Sequence, residues 1–514
     1  MRVLLVEPNY RKSRNTTAKS KPSDVTLWYP PLGLLKIARF HRNRGDEVRF
    51  VNGCDVSILP REDVFDPIGL WDRIYITTLF TFHFKKVVET VEFYKKAVGG
   101  TKSKIFIGGI MASLMPQELY SAIGIFPHIG ILHDPKSIGL NDDVDINSLD
   151  PDYSVLDPTK YAINETYYAY TTRGCINKCS WCGVPSIEPT FKSYVDIKPQ
   201  ILNLRIELGD KPILKLMDNN VLASKKLKAI VKDLLDLGYG TRCFTNTKPP
   251  RQRVIDFNQG VDATYITKET IALISQLNIR PLRVAFDRIE ESKIYANALT
   301  LCHEAGFPEF SNYMLYNYHD TPRDLYERLE LNIRLNTVWA NDKVPSKIYS
   351  YPMRYAPIND LLGSRSSRDI ENEHDPLTVN WRSSPVWTKR FVRNIEIMKG
   401  VAHGAISPTP GLAERTIGHT FEEFLENLYM PESLLRNRSS HEKRTYVFGS
   451  SSVPGSGKLE AFRDYIRSLL NEQNEDFYFF HNAVVQNSTR AINEALALCR
   501  HKEQKKWLQL YLRT

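Results

Sequence analysis

The chain has 514 residues, with 68 Lys+Arg against 59 Asp+Glu and a net charge of +9. Hydrophobic residues make up 42% and charged residues 25%, ordinary globular usage that excludes a disordered, collagen-like or coiled-coil chain and suggests about three domains. The mild basic balance permits an anionic partner without demanding one. The apolar run at 3–6 is too short for a signal-peptide core and reads as a first strand. No run of about 18 apolar residues is present, so no membrane span is expected and the expected location is cytoplasmic.

In chain order, the pattern predicts a helix over 31–44 closed by Gly45, then a strand over 47–51. Strands over 74–80 and 105–107 follow, with helices over 87–97 and 116–122. This alternation predicts an α/β fold that starts with a doubly wound parallel sheet over residues 1–132, with its ligand crevice at the carboxyl ends of the strands. Gly108 and Gly109 stand at such an end. Their missing side chains would let a ligand approach bare backbone; a tight turn is the other reading.

Residues 133–165 read as a connector, because Asp134-Pro135, Asp142-Asp143, Asp150-Pro151 and Asp157-Pro158 are turn chemistry. Beyond it, strands are expected over 167–172, 213–217, 254–257, 282–286, 312–316 and 348–351. Helices over 197–208, 225–237, 268–277, 291–305 and 322–335 separate them. Six such strands over 166–356 predict a partial parallel (β/α)6 barrel, with polar residues at the strand ends where barrels carry chemistry. Residues 357–514 read as a mainly helical extension. It opens on a polar loop at 363–375 and carries helices over 387–398, 421–428, 459–470 and 487–499.

Seven cysteines are present, an odd number in a long chain, which argues against a disulfide framework. Three lie in the run Arg173-Gly174-Cys175-Ile176-Asn177-Lys178-Cys179-Ser180-Trp181-Cys182, spaced C-x3-C-x2-C. Soft thiolates this close suit an iron–sulfur cluster or another soft metal. Three thiolates on a four-iron cluster leave one iron to bind a small molecule. A structural zinc would want four closed ligands, and Cys243 and His303 are distant in sequence. A redox C-x2-C would use only two of the three. Cys54, Cys243, Cys302 and Cys499 read as buried small hydrophobes.

This motif, with an aromatic before its third cysteine and on a loop after the first strand of a six-strand partial barrel, resembles the radical S-adenosylmethionine superfamily. The resemblance implies that Cys175, Cys179 and Cys182 hold a [4Fe-4S] cluster whose open iron chelates S-adenosylmethionine. Reductive cleavage would then yield a 5′-deoxyadenosyl radical. It further implies cofactor contacts from Asp218, Asn219 and Asn220 after the second strand, where the family's usual two glycines and a glutamate are missing. Gln259, Asp262, Asp287 and Arg288 at the third and fourth strand ends are expected to hold the carboxylate and ribose; turn and cap roles are the alternative. Trp181 is expected near the adenine or shielding the cluster, and Met353 and Arg354 at the pocket wall.

The front of the chain is similar to the cobalamin-binding-type domain of some members. It carries Tyr29-Pro30-Pro31-Leu32-Gly33-Leu34, Arg44-Gly45-Asp46-Glu47-Val48 and Gly108-Gly109-Ile110. The D-x-H-x-x-G signature is absent, and His41, His83 and His128 do not supply it, so bound cobalamin is one of two options. The leading expectation is a radical enzyme acting on a carbon centre. The alternatives are a cobalamin-dependent methyltransferase, a non-catalytic iron–sulfur protein and a structural zinc module. The implied electron donor is a flavodoxin or ferredoxin. The substrate class stays open between a small molecule, a peptide and nucleic acid.

Two further signals are discounted. Val453-Pro454-Gly455-Ser456-Gly457-Lys458 lacks the first glycine and the final Ser/Thr of a phosphate loop and reads as a turn before a helix. The basic residues Lys389, Arg390, Arg393, Arg436, Arg438, Lys443 and Arg444, with Lys502, Lys505 and Lys506, read as a solvated face, with a nucleic-acid surface as the lesser option.

Overall fold

The computed structural model describes residues 1–10, 28–59, 71–357, 377, 379–402, 404–436 and 456–512. The polar loop expected at 363–375, and Arg438, Lys443, Arg444 and residues 452–455, lie outside these. The chain divides into two compact units. One comprises Met1–Gln259 with Gln276–Asn278; the other comprises Gly260–Ser275, Ile279–Ala356 and the described residues from 377 onward.

The first unit begins with β1 (Arg2–Glu7), α1 (Leu32–Asn43), β2 (Glu47–Asn52), β3 (Arg73–Thr78), α2 (Phe84–Lys95) and β4 (Ile105–Gly109). α3 (Ile110–Leu114) and α4 (Pro116–Ile123) follow. The strands form one parallel sheet in the order β2-β1-β3-β4. Because strand side chains alternate, the sheet buries two faces. Val3, Leu5 and Tyr75 pack with Leu34 and Ala38 of α1. Leu4, Val6, Ile76 and Ile107 pack with Val87 and Val91 of α2 and with Met111 and Leu119. α1 stops where Gly45 takes φ +79°, a left-handed turn that glycine enters without steric cost.

In the connector, Asp134, Asp145 and Asp152 each accept a hydrogen bond from the backbone N–H two residues on, capping short 3-10 turns. The aspartates there thus act as turn residues. β5 (Thr166–Ala169), β6 (Ile213–Leu216) and β7 (Val254–Phe257) then form a second parallel sheet in that order. α5 (Val184–Ile187), α6 (Lys198–Leu208) and α7 (Leu227–Asp236) lie between them in sequence.

The second unit contains α8 (Lys268–Ile274), β8 (Leu282–Arg283), α9 (Ser292–Glu304), β9 (Glu309–Tyr316), α10 (Pro322–Trp339) and β10 (Lys347–Arg354). Its three strands make a parallel sheet in the order β10-β9-β8. β8 is shorter than the expected 282–286, although Val284 and Phe286 still donate to the carbonyls of Ser311 and Tyr313. The six strands of residues 166–356 therefore form two three-stranded sheets. Helices follow at α11 (Lys389–Lys399), α12 (Pro410–Ile417), α13 (Phe421–Tyr429), Ser456–Glu472, Glu475–Val485, Thr489–Leu498 and Lys502–Leu508. The short helices Ile110–Leu114, Val184–Ile187 and Pro410–Ile417, and the aromatic-rich Glu475–Val485, escaped the sequence reading, whereas Lys502, Lys505 and Lys506 do stand on a last helix, as expected. No helix among the described residues is long and apolar enough to cross a membrane.

Two sequence expectations need correction here. Cys54 is exposed and Cys243 and Cys499 are half-buried; of the four outlying cysteines only Cys302 is buried. Arg390 is buried, with its guanidinium carbon 4.9 Å over the Tyr511 ring. Arg390, Arg393 and Arg436 all pair with Glu432, at 3.9, 2.9 and 3.4 Å. Arg390 thus departs from the expected solvated face, whereas Arg393 is half-buried and Arg436 is exposed while paired with the same carboxylate.

Candidate functional site

The cysteines sit on a loop closed at its stem. Arg173 and Lys192 exchange both backbone hydrogen bonds, at 3.0 and 2.9 Å. The Glu188 carboxylate accepts from Arg173 Nε at 3.0 Å, Arg173 Nη2 at 2.6 Å and the Gly174 N–H at 2.6 Å. Lys178 Nζ donates to the Pro189 carbonyl at 2.7 Å. Gly174 has φ +68°, and a Cβ there would lie 2.5 Å from the Thr190 carbonyl oxygen. Only glycine fits beside Cys175.

Cys175, Cys179 and Cys182 are all partly exposed. The Cys182 N–H donates to the Cys179 carbonyl at 3.1 Å, closing a turn between them. Among the described residues no three His, Cys, Asp or Glu side chains converge as a metal-holding group. The donor set fits an iron–sulfur cluster in kind, as three thiols on one loop, but the thiols are not drawn to a common centre.

Asp218, just past β6, reaches the segment just past β5. Its carboxylate accepts from the Thr171 N–H at 3.1 Å, from the hydroxyls of Thr171 and Thr172 at 2.7 Å each, and from the Thr172 N–H. Burial pushes this carboxyl above the usual range, and the four donated bonds oppose that push. The oxygens are thus spent on positioning the strand end two residues before the loop. Asn219 Nδ2 donates to the Gly174 carbonyl at 3.3 Å. Asn220 is buried, with neither amide atom hydrogen-bonded among the described residues.

The remaining positions are scattered in role. Gln259 is exposed. Asp262 accepts from the N–H and hydroxyl of Thr264, capping the 3-10 turn Ala263–Tyr265. Asp287 accepts from the Leu315 N–H at 2.8 Å, and burial raises its carboxyl. Arg288 is exposed and pairs with Glu291. Trp181 and Arg354 are half-buried and Met353 is exposed. The structure brings Asp218 and Asn219 to the cysteine loop and leaves Asp262 and Arg288 in local caps and pairs.

At the end of β4 the two glycines differ. Gly109 has φ +108°, and a Cβ would fall 2.3 Å from the Thr78 carbonyl oxygen. The backbone that approaches it closely is Thr78. A Cβ on Gly108 would meet nothing nearer than His128 at 3.9 Å.

Two features were invisible in the sequence. Glu188 lies 14 residues from Gly174 and carried no motif. Tyr168, Lys215 and Asp256 stand in cross-strand register on β5, β6 and β7. Lys215 lies 3.4 Å from Asp256, and its Nζ donates to Tyr29 Oη at 2.9 Å, which in turn donates to Asn258 Oδ1 at 2.9 Å. The alternation of β6 places Lys215 among apolar neighbours, the one signal that could have flagged it.

No protein-family model matches this chain, and no curated protein matches it. Among solved structures, the chain is similar to the cobalamin-dependent S-adenosylmethionine radical enzyme OxsB with aqua-cobalamin bound. That match covers 98% of this chain and 76% of that one, at 10% identity and a TM-score of 0.47. OxsB with aqua-cobalamin and S-adenosylmethionine bound matches over 99% and 78%, at 11% identity and a TM-score of 0.45. Streptococcus suis SuiB bound to S-adenosylmethionine matches over 41% and 40%, at 12% identity and a TM-score of 0.24.

Proposed function

We propose that this protein is a radical S-adenosylmethionine enzyme that modifies a carbon centre of its substrate. The observation that carries the reading is the C-x3-C-x2-C loop anchored at the carboxyl ends of two adjacent parallel strands. Asp218 fastens the β5 end and Asn219 fastens Gly174. Cys175, Cys179 and Cys182 would hold a [4Fe-4S] cluster, which supplies one electron at low potential to a bound sulfonium. In this reading residues 166–356 form a partial barrel, 1–132 a cobalamin-binding-type domain, 133–165 the connector and 357–514 a helical extension. Asn219, the orphaned amide of Asn220 and Gln259 are the side chains proposed to face S-adenosylmethionine. A flavodoxin or ferredoxin is the proposed donor, in the cytoplasm.

The test is anaerobic reconstitution with iron and sulfide, followed by iron analysis and electron paramagnetic resonance of the reduced protein. The wild-type chain is expected to bind about four irons and, with dithionite and substrate, to release 5′-deoxyadenosine. Replacing each of the three cysteines by Ala should abolish the cluster while the circular dichroism spectrum is kept. Unchanged iron content in all three variants would sink the reading.

A second reading is methyl transfer with cobalamin, supported by Gly108 at the end of β4, where an added Cβ would make only ordinary contact, 3.9 Å from His128. Corrinoid retained on reconstitution with hydroxocobalamin, and lost in Gly108→Trp, would support it. Corrinoid in neither would remove it.

A further inference from the structure

Beside the stem of the cysteine loop lies a cavity of about 660 Å³ that none of the three cysteines, Asn219 or Gln259 lines. Its walls come from α1 (Leu32, Lys36), the connector (Asp145, Asp150), the strand end (Tyr168, Tyr170) and the stem itself (Arg173, Glu188). Three cations line it, Lys36, Arg173 and the exposed Lys192. Lys36 is half-buried, and its Nζ donates to the Asn147 carbonyl and, at 3.3 Å, to Asn147 Oδ1. The Arg173 guanidinium carbon stands 3.9 Å over the Tyr170 ring. Of its five N–H donors, Glu188 engages those on Nε and one on Nη2.

The carboxylates around the cavity already have partners. Glu188 holds Arg173 and Gly174. Asp145 accepts from the Asn147 N–H and pairs with His133 at 3.0 Å. Asp150 accepts from Asn203 Nδ2 at 3.0 Å, and Asp196 accepts from the Lys198 N–H. Lys192, at the rim, is exposed. Burial first, and Arg173 second, lower the Lys36 ammonium to about 8, against the pull of Asp145, Asp150 and Glu188. A desolvated ammonium that shares a cavity with a guanidinium is relieved by an anion that reaches both. Pro151, Ile187 and Pro189 add apolar wall to the two tyrosine rings, as small-molecule sites require.

We propose that this cavity binds a small aromatic carboxylate, its carboxylate held by Lys36 and Arg173 and its ring against Tyr168 and Tyr170. The site is separate from the proposed radical chemistry and does not depend on it. Because Arg173 and Glu188 also hold Gly174 beside Cys175, occupancy stiffens the stem of the cysteine loop.

The probe is 4-hydroxybenzoate, titrated calorimetrically into the full-length chain without reconstitution, near pH 8, in two buffers of different ionisation enthalpy. One site is expected, with net proton uptake, because the bound anion favours the charged form of Lys36 and raises its pKa. Lys36→Met and Lys36→Gln, each checked by circular dichroism, should lose affinity by about tenfold or more and lose the proton uptake. 4-Hydroxybenzamide should not bind, and alkylation of Cys175 should slow when the site is filled. Absent binding, binding without proton uptake, equal affinity in folded variants, or preference for benzylamine over 4-hydroxybenzoate would each overturn the proposal. An iron-free chain serves for every arm, so failure here is distinguishable from failure of the cluster assignment.

Discussion

Asp218 and Gly174 set the local geometry of the cysteine loop, Asp218 through the N–H groups and hydroxyls of Thr171 and Thr172 and Gly174 through its left-handed backbone. Asp218→Ala would leave two N–H groups and two hydroxyls at Thr171 and Thr172 buried without their acceptor. Each orphaned donor has a desolvation cost, so the variant should lose about 3 kcal/mol of stability, read as a lower urea midpoint, and should retain less iron on reconstitution. Gly174→Ala should be as damaging, since it joins a φ of +68° to a 2.5 Å approach to the Thr190 oxygen. Gly108→Ala supplies the contrast. With 3.9 Å to its nearest neighbour, it should change the melting temperature by no more than about 2 °C. A Gly108→Ala variant as unstable as Gly174→Ala would refute this reading of the two glycines.

At the scale of elements, side chains that cross between strand ends add to the backbone ladders of the parallel sheets. Arg328 of α10 is fully buried. It donates to the carbonyls of Phe286, Asp287 and Leu315 and pairs with Asp320 at 2.6 Å. It therefore joins the end of the β8 segment to the end of β9. Arg328→Met would take the donor from three carbonyls and the ion-pair partner from Asp320, which keeps Trp387 Nε1 and the Tyr318 N–H, and a cost of about 4 kcal/mol is expected. Native-state hydrogen exchange should then show faster exchange at Val284, Phe286 and Leu315 before the rest of the second unit; unchanged protection there would count against the assignment. α1 offers a pH test. Lys36 titrates at about 8 in the folded chain and at the usual higher lysine value when unfolded, so the unfolded state binds more protons between the two. Stability should rise with pH across that window, by at most about 1.4 kcal/mol per pH unit. Lys36→Met should flatten the rise, measured as urea midpoint against pH.

For the molecule as a whole, the seven thiols make a map of burial. Cys302 is fully buried and its thiol is pushed up to about 12 by that burial, whereas Cys54 is exposed. Iodoacetamide labelling of the native chain, read by peptide mapping, should modify Cys54 and spare Cys302 until denaturant is added. Cys175, Cys179 and Cys182 should label in the iron-free chain and become protected after reconstitution. Protection of Cys54 but not of the loop cysteines would contradict both the burial pattern and the cluster assignment.

Much of this organisation is local and was therefore legible in one dimension. The apolar runs of β1, β3 and β4, the left-handed stop at Gly45, the aspartate turns of the connector and the order of the strands and longer helices through residue 354 all follow from backbone preferences and side-chain period. Those act over a few residues and need no partner. The three cysteines were legible for the same reason, since a loop of three thiols carries its donor set wherever it is placed. What only the tertiary structure decided is who answers whom across long separations. Asp218 answers Thr171 and Thr172, Glu188 answers Gly174, Arg328 answers three carbonyls, Arg390 turns inward and Lys36 shares a cavity with Arg173. Aspartates at strand ends read alike in sequence, yet Asp218 is buried under four donors and Asp262 caps a turn. The energy that separates them comes from desolvation and from hydrogen-bond partners brought together by packing, and neither quantity is a property of the sequence window in which the residue stands.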